Sequence, residues 1–265
     1  VSFDDGASWQ SLRLNMPVVS VHDLIVHDGD LAIATHGRGF WILDDVSPLR
    51  WLASHPSLYA GIFAPRETIR TRPGDDEAEA SPPEIPVGEN PPNGAYVDYV
   101  VPPNATGPVA LAVADASGTV VRRWSSTDVP KRTDPKDVDY PEYWIESRSV
   151  PPATPGMHRF VWNFRIGGIE LPDPAPAPPL APPGRYTLRF TLGRRTFTQP
   201  LVLRRDPRVH ASDADLTAQY ALARDVYTQL EQLNGALGRA KAARKKPGAN
   251  VARIDEIAGP PAVKN

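Results

Sequence analysis

The chain has 265 residues, with 31 Pro, 19 Gly, no Cys and a formal net charge of −2. That length suits two small domains or one domain with long appendages, and the proline content argues against a helical bundle and for strands joined by turns. Without cysteine there is no disulfide, thiolate metal site or cysteine nucleophile, and the near-neutral charge predicts neither a nucleic-acid nor an acidic-membrane partner.

No apolar run approaches the roughly 18 residues of a membrane helix; the longest clean one, VALAVA at 109–114, has strand length. The first residue is Val1 rather than Met, and the chain opens as if in mid-hairpin. It therefore reads as a soluble piece of a longer protein, with any targeting segment upstream.

Residues 1–50 read as strands and tight turns. VSFDDGASWQSL (1–12) looks like the end of one strand, a turn and the start of another. In it Asp4 is placed to accept backbone N–H groups of its own turn, Ser2 to tie the turn's other side, Gly6 to supply a positive φ, and Trp9 to pack under the turn. Strands are expected in VSVHDLIVH (19–27), LAIATHG (31–37) and GFWILDD (39–45), with Asp28-Gly29 as a hairpin turn and Gly37 and Gly39 punctuating the next. Three short strands in succession make a meander.

Residues 51–93 turn from apolar to acidic and proline-rich. Six acidic residues and no basic one lie between Pro73 and Asn93, which predicts a solvated linker.

Residues 94–206 carry strand patterns at 95–102, around the turn DASG (115–118), at 156–166 and in a hairpin turning at Gly193. In 156–166, His158, Phe160, Trp162 and Phe164 fall on one side, giving an aromatic inward face, while Met157, Arg159, Val161, Asn163 and Arg165 fall on the other. No helix separates these strands, so a small antiparallel sandwich is expected, with 126–155 a long loop and LPDPAPAPPLAPP (171–183) a polyproline-like one.

Residues 207–265 read as helical. Ser212 is the N-cap, with Asp215 three residues on. Leu216, Tyr220, Ala223, Tyr227, Leu230, Leu233 and Leu237 form one apolar stripe, and five basic residues between Arg239 and Lys246 suit the C-terminal dipole before Pro247-Gly248. A second, shorter helix in NVARIDEIAG would pack back on the first.

With these motifs in hand, Ser2, Asp4, Gly6 and Trp9 resemble the Asp-box, S-x-D-x-G-x-x-W, of bacterial-neuraminidase-type and sortilin-type repeats. LAIATHGRGFWILDDVSPLR resembles the last blade of large bacterial BNR-repeat, sortilin-like, glycosyl-hydrolase-type proteins, and 90–209 resembles the Ig-like module of their C-terminal region, related to that of flagellar hook-capping proteins. The resemblance implies a mainly β fold: terminal blades of an Asp-box β-propeller (1–50), an acidic Pro-rich linker (51–93), an Ig-like β-sandwich (94–206) and a C-terminal helix or helical hairpin (207–265). It makes Val1–Ser2 the end of one strand and Trp9–Leu12 the start of a blade's outer strand. It implies export to the periplasm, cell envelope or medium of a bacterium. It also implies a missing blade strand and bare sheet edges, covered by the remainder of the propeller or by another chain.

The chemistry legible in the residues is thin. Asp4 is read as structural. The three His and three Asp of 22–36 invite a metal reading, but His22 and His27 are five apart on a strand and point to opposite faces, and Asp28 and Asp30 serve the turn, so no metal or other cofactor is assigned. Arg38, between two glycines at a strand end, and neighbouring His36 are candidate ligand contacts, because arginines in propeller channels clamp carboxylates; the alternative is pairing of Arg38 with Asp44, Asp45 or a neighbouring blade. Adjacent Asp44 and Asp45 face opposite ways and do not make a hydrolase pair. Tyr143 and Trp144, with Tyr140, sit in a loop where aromatics would stack on a glycan or a protein, whereas His158 and Trp162 suit a core. No catalytic residue is assigned. The functional expectation is a non-catalytic binding or assembly region; the alternatives are an accessory region of a sialidase-like glycoside hydrolase whose catalytic residues lie elsewhere, or a sortilin-like peptide- or protein-binding propeller.

Overall fold

The computed structural model describes residues 1–55, 60–71, 84, 91–129, 134–137, 141–142, 150–167, 177–244 and 252–253. The fold is mainly β, with three sheets and a long C-terminal helix. The chain divides into two compact units. One comprises 1–164 and 184–207, and the other 165–183 and 208–265.

The first unit opens with the turn of residues 1–10. Val1 and Gln10 exchange hydrogen bonds, the Val1 amino group donating to Gln10 O at 2.7 Å and Gln10 N to Val1 O at 2.9 Å. The pairing goes no further: neither 1–2 nor 9–12 is a strand, and the chain turns again at Arg13–Met16. The strand ends expected there are thus reduced to one reciprocal pair.

A three-stranded antiparallel sheet follows, of β1 (Val21–His27), β2 (Asp30–Thr35) and β3 (Phe40–Leu43) in the order β1-β2-β3. The two-residue turn between β1 and β2 has positive φ at both Asp28 (48°) and Gly29 (86°), the conformation whose twist matches a hairpin. A short helix, α1 (Ser47–Ser54), follows β3 after Asp44, Asp45 and Val46, with Pro48 in its first turn, where a missing N–H costs nothing.

Two further sheets pack face to face. The larger has the order β5-β11-β10-β7-β8 and the smaller β4-β6-β9. Their strands are β4 (Gly61–Ile62), β5 (Thr68–Arg70), β6 (Ala95–Val101), β7 (Val109–Ala114), β8 (Val120–Ser125), β9 (Gly156–Trp162), β10 (Gly184–Leu192) and β11 (Arg195–Arg205). Strand alternation sets the core: Tyr186, Leu188, Phe190 and Leu192 of β10 face Val97, Tyr99, Phe160 and Trp162 of β6 and β9, all buried. Aromatic rings carry the contact, with Tyr99 4.9 Å from Phe190 and Trp162 5.4 Å from Tyr186 between centroids. The aromatic face expected at 158–164 is therefore the inner one, although His158 lies at its half-exposed end.

β4 and β5 fall inside the segment expected as linker. β4 pairs with β6, and β5 runs parallel to the end of β11. Backbone pairing at 61–62 and 68–70 thus reaches the sandwich before the expected boundary at 94.

In the second unit, α2 (Asp213–Arg244) begins with a reciprocal cap. Asp215 N donates to Ser212 Oγ at 3.1 Å, and Ser212 N donates to Asp215 Oδ2 at 2.9 Å. Leu216 and Tyr227 are its buried residues, and Tyr220, Ala223, Leu230 and Leu237 are half-buried. Leu233 departs from the expected stripe: it is 55% exposed, and Asn234 takes the half-buried place. Residues 245–250 and most of 251–265, where the helix end and a second helix were expected, lie outside the described residues. Among the described residues no helix is long and apolar enough to cross a membrane.

Candidate functional site

The sheet β1-β2-β3 is apolar on both faces. Cross-strand partners share a face, so Leu24, Ile33 and Trp41 lie together with Val26, Leu31 and Leu43. The opposite face carries Ile25, Ala32 and Ile42, with Asp23, Ala34 and Phe40 beside them. An antiparallel sheet with one solvated face normally alternates apolar and polar. This one does not, and much of it is uncovered: Leu24 and Ile25 are each 60% exposed, Ile42 62% and Phe40 83%. All seven residues of β1 are exposed. β1 and β3 each pair on one side only, leaving both outer edges unpaired among the described residues.

One end of this sheet holds the residues singled out in the sequence. Gly37 (φ 77°) and Gly39 (φ 69°) reverse the chain between β2 and β3, and Thr35 closes the turn through its N and Oγ1, both donating to Gly39 O. Arg38 stands exposed between them, and its backbone O accepts the Trp41 indole N–H at 3.0 Å. Its guanidinium has no ion-pair or hydrogen-bond partner among the described residues. The expected alternative of pairing with Asp44 or Asp45 is not seen. His36 stacks on His22 with centroids 5.2 Å apart. His27 lies at the other end of β1, next to Asp28 at 3.5 Å. Among the described residues no three His, Cys, Asp or Glu side chains are grouped to hold a metal ion. Tyr143, Trp144 and Tyr140 lie outside the described residues.

The turn at 1–10 has a closed hydrogen-bond set. Asp4 accepts Ser8 N at 2.8 Å and Ser8 Oγ at 2.5 Å, and Ser2 Oγ accepts Gly6 N at 2.8 Å while donating to Asp4. The Trp9 indole N–H donates to Gly6 O, and its ring lies 3.9 Å from where a Gly6 Cβ would stand. The hydrogen bonds from Ser8, and then from Ser2, hold the Asp4 carboxyl below its ordinary pKa. Asp4 is thus fully engaged by its own turn.

The acids after β3 are engaged by a residue that sequence reasoning assigned no role. Arg159, on the outer face of β9, donates Nε and Nη2 to Asp98 at 2.8 and 2.9 Å. It also donates to the backbone O of Asp44 at 2.7 Å and of Asp45 at 3.1 Å, and stacks over Tyr96 at 4.3 Å. Asp45 N donates to Asp30 Oδ1, which also accepts Arg66 Nη1 at 2.6 Å. Burial pushes the Asp98 carboxyl above its ordinary pKa although Arg159 opposes the shift; burial and then the Asp30 charge push Asp44 up as well. The signal for Arg159 was its place opposite Asp98, but strand alternation says only that a side chain leaves the core.

A shallow cleft of about 260 Å³ opens beside this cluster, lined by Asp45, Arg66, Glu67, Thr68, Ile69, Gly94 and Tyr96. Its charged groups are already engaged: Arg66 pairs with Asp30, Glu67 with Arg204, and the Asp45 carboxylate accepts Ser47 N at 3.1 Å. That leaves the two-faced apolar sheet, with its Arg38 turn, as the candidate functional surface. No known protein family, curated protein or solved structure matches the chain.

Proposed function

We propose that this chain is a non-catalytic binding or assembly region of an exported bacterial Asp-box propeller protein. In this reading residues 1–50 supply its last blade and a half, and the packed sheets form an Ig-like module. The observation that carries it is the sheet β1-β2-β3, apolar on both faces and, among the described residues, unpaired at both edges. A propeller blade needs this pattern, because a neighbouring blade covers each face and a fourth strand completes the edge. The partner is then a set of twisted antiparallel sheets, from the remainder of the propeller or another chain. The hydrogen-bonded turn around Asp4, of the S-x-D-x-G-x-x-W pattern, supports the same reading.

Exposed Arg38 favours a ligand role within it: a guanidinium between two glycines at a strand end is suited to a carboxylate on a glycan or peptide. The test is to determine the sequence preceding Val1 in the native protein and supply that segment in trans. Further S-x-D-x-G-x-x-W repeats upstream, and amide-exchange protection at 21–43 on adding the segment, are expected. An upstream sequence without repeats, or unchanged exchange, overturns the reading. Carboxylates or a Tyr with arginines on inner strands of several upstream blades would instead make the parent a glycoside hydrolase.

A further inference from the structure

α2 carries a second seam besides its buried stripe, apolar except for Gln229. Leu222, Val226, Gln229, Leu233 and Ala236 follow one another at spacings of four and three, the repeat of a coiled coil. Leu222 is 69% exposed, and Val226 and Leu233 are also exposed. With Val226 and Leu233 at a positions, Asp225 and Arg239 fall at the flanking g positions, and both are exposed.

We infer that α2 pairs antiparallel with α2 of a second copy through this seam. Antiparallel coiled coils match a with d across the interface and g with g. Setting Val226 against Ala236 of the second copy also sets Gln229 against Leu233 and Leu222 against Ala240. In that register Asp225 faces Arg239 of the second copy, and symmetry repeats the pair, so the dimer holds two such pairs and each of the four charges is complemented once. A parallel pair would place Arg239 beside Arg244 and Asp225 beside Leu230, with a repulsion and no compensating pair. The seam reaches half-buried Ala240, and the two buried side chains of α2, Leu216 and Tyr227, lie outside its a and d positions.

Sedimentation equilibrium of the full chain between about 5 and 500 μM tests this, a range suited to weak association. A concentration-dependent dimer is expected. Leu233→Glu is expected to abolish it with helix content unchanged by circular dichroism. Asp225→Arg is expected to weaken it several-fold, and Asp225→Arg with Arg239→Asp to restore it. A monomer throughout the range overturns the inference. So does association that survives Leu233→Glu, which would belong to the exposed β1-β2-β3 sheet, or a charge swap that fails to rescue.

Discussion

Arg159 and Asp98 stand directly opposite each other on β9 and β6, and the guanidinium clasps the carboxylate through two nitrogens while its other donor reaches the carbonyl after β3. On β6, Val97, Tyr99 and Val101 are buried on the inner face, and on the outer face Asp98 is buried between half-buried Tyr96 and Val100. Removing Arg159 alone strands a buried carboxylate and frees two carbonyls. Arg159→Ala is expected to cost about 3 kcal/mol in urea unfolding, and Asp98→Asn combined with Arg159→Met distinctly less. Additive costs would show that the two residues act separately.

Gly94 precedes β6 with no room for a side chain. A Cβ there would lie 2.4 Å from Val161 Cγ1 and 2.6 Å from the Trp162 carbonyl oxygen, and the carbonyl belongs to a strand that cannot yield. Gly94→Ala is expected to destabilise by about 1–3 kcal/mol. Gly238, on α2 with nothing within 4 Å, is the contrast: Gly238→Ala is expected to stabilise by about 0.5–1 kcal/mol through helix propensity. Thermal melts of the two variants should move in opposite directions.

The Tyr99 hydroxyl donates to Pro152 O at 2.8 Å, and burial raises its pKa above the ordinary value. The fold favours the neutral phenol, so this contribution is present below the unfolded pKa of about 10 and is lost as pH rises through the folded value. Absorbance titration is expected to show a tyrosine that ionises only when the protein unfolds in alkali. In Tyr99→Phe that late phase should vanish.

Asp4 has the opposite sign. Its depressed pKa means that the turn gains from ionisation above the unfolded value and loses it as pH falls through the folded one. The Ser8 amide resonance should therefore hold its position through mildly acidic pH and move only below the ordinary carboxylate range. Ser8→Ala should bring that midpoint up toward the ordinary value.

What could be read from the sequence depended on how local the cause was. The Asp28-Gly29 hairpin, the Ser212–Asp215 cap and the alternation of β9 and β10 each follow from a few adjacent residues, and each is present. β4 and β5 span only two and three residues, too short for a period to show, and pair with the edges that β6 and β11 offer, so no local pattern announced them. The stripe on α2 was misplaced at one step, because Leu233 and Asn234 satisfy the helical period almost equally and hydrophobicity favoured the wrong one. Arg159 was seen to leave the core, but its targets lie 61 and more than 110 residues away in sequence. The double-sided character of β1-β2-β3 was partly visible, since LIV in β1 interrupts the alternation; that both faces are apolar requires the register.

A single side chain, Arg159, binds both Asp98 of β6 and the carbonyls of Asp44 and Asp45 just after β3, and so ties the three-stranded sheet to the packed pair of sheets. The exposed three-stranded sheet is too small to persist alone, yet its corner is fastened to Arg159 of β9. It therefore borrows the sandwich's melting temperature: residues 21–45 and the aromatic core should be lost in one calorimetric transition, and the apolar sheet remains folded and on display for as long as the sandwich does.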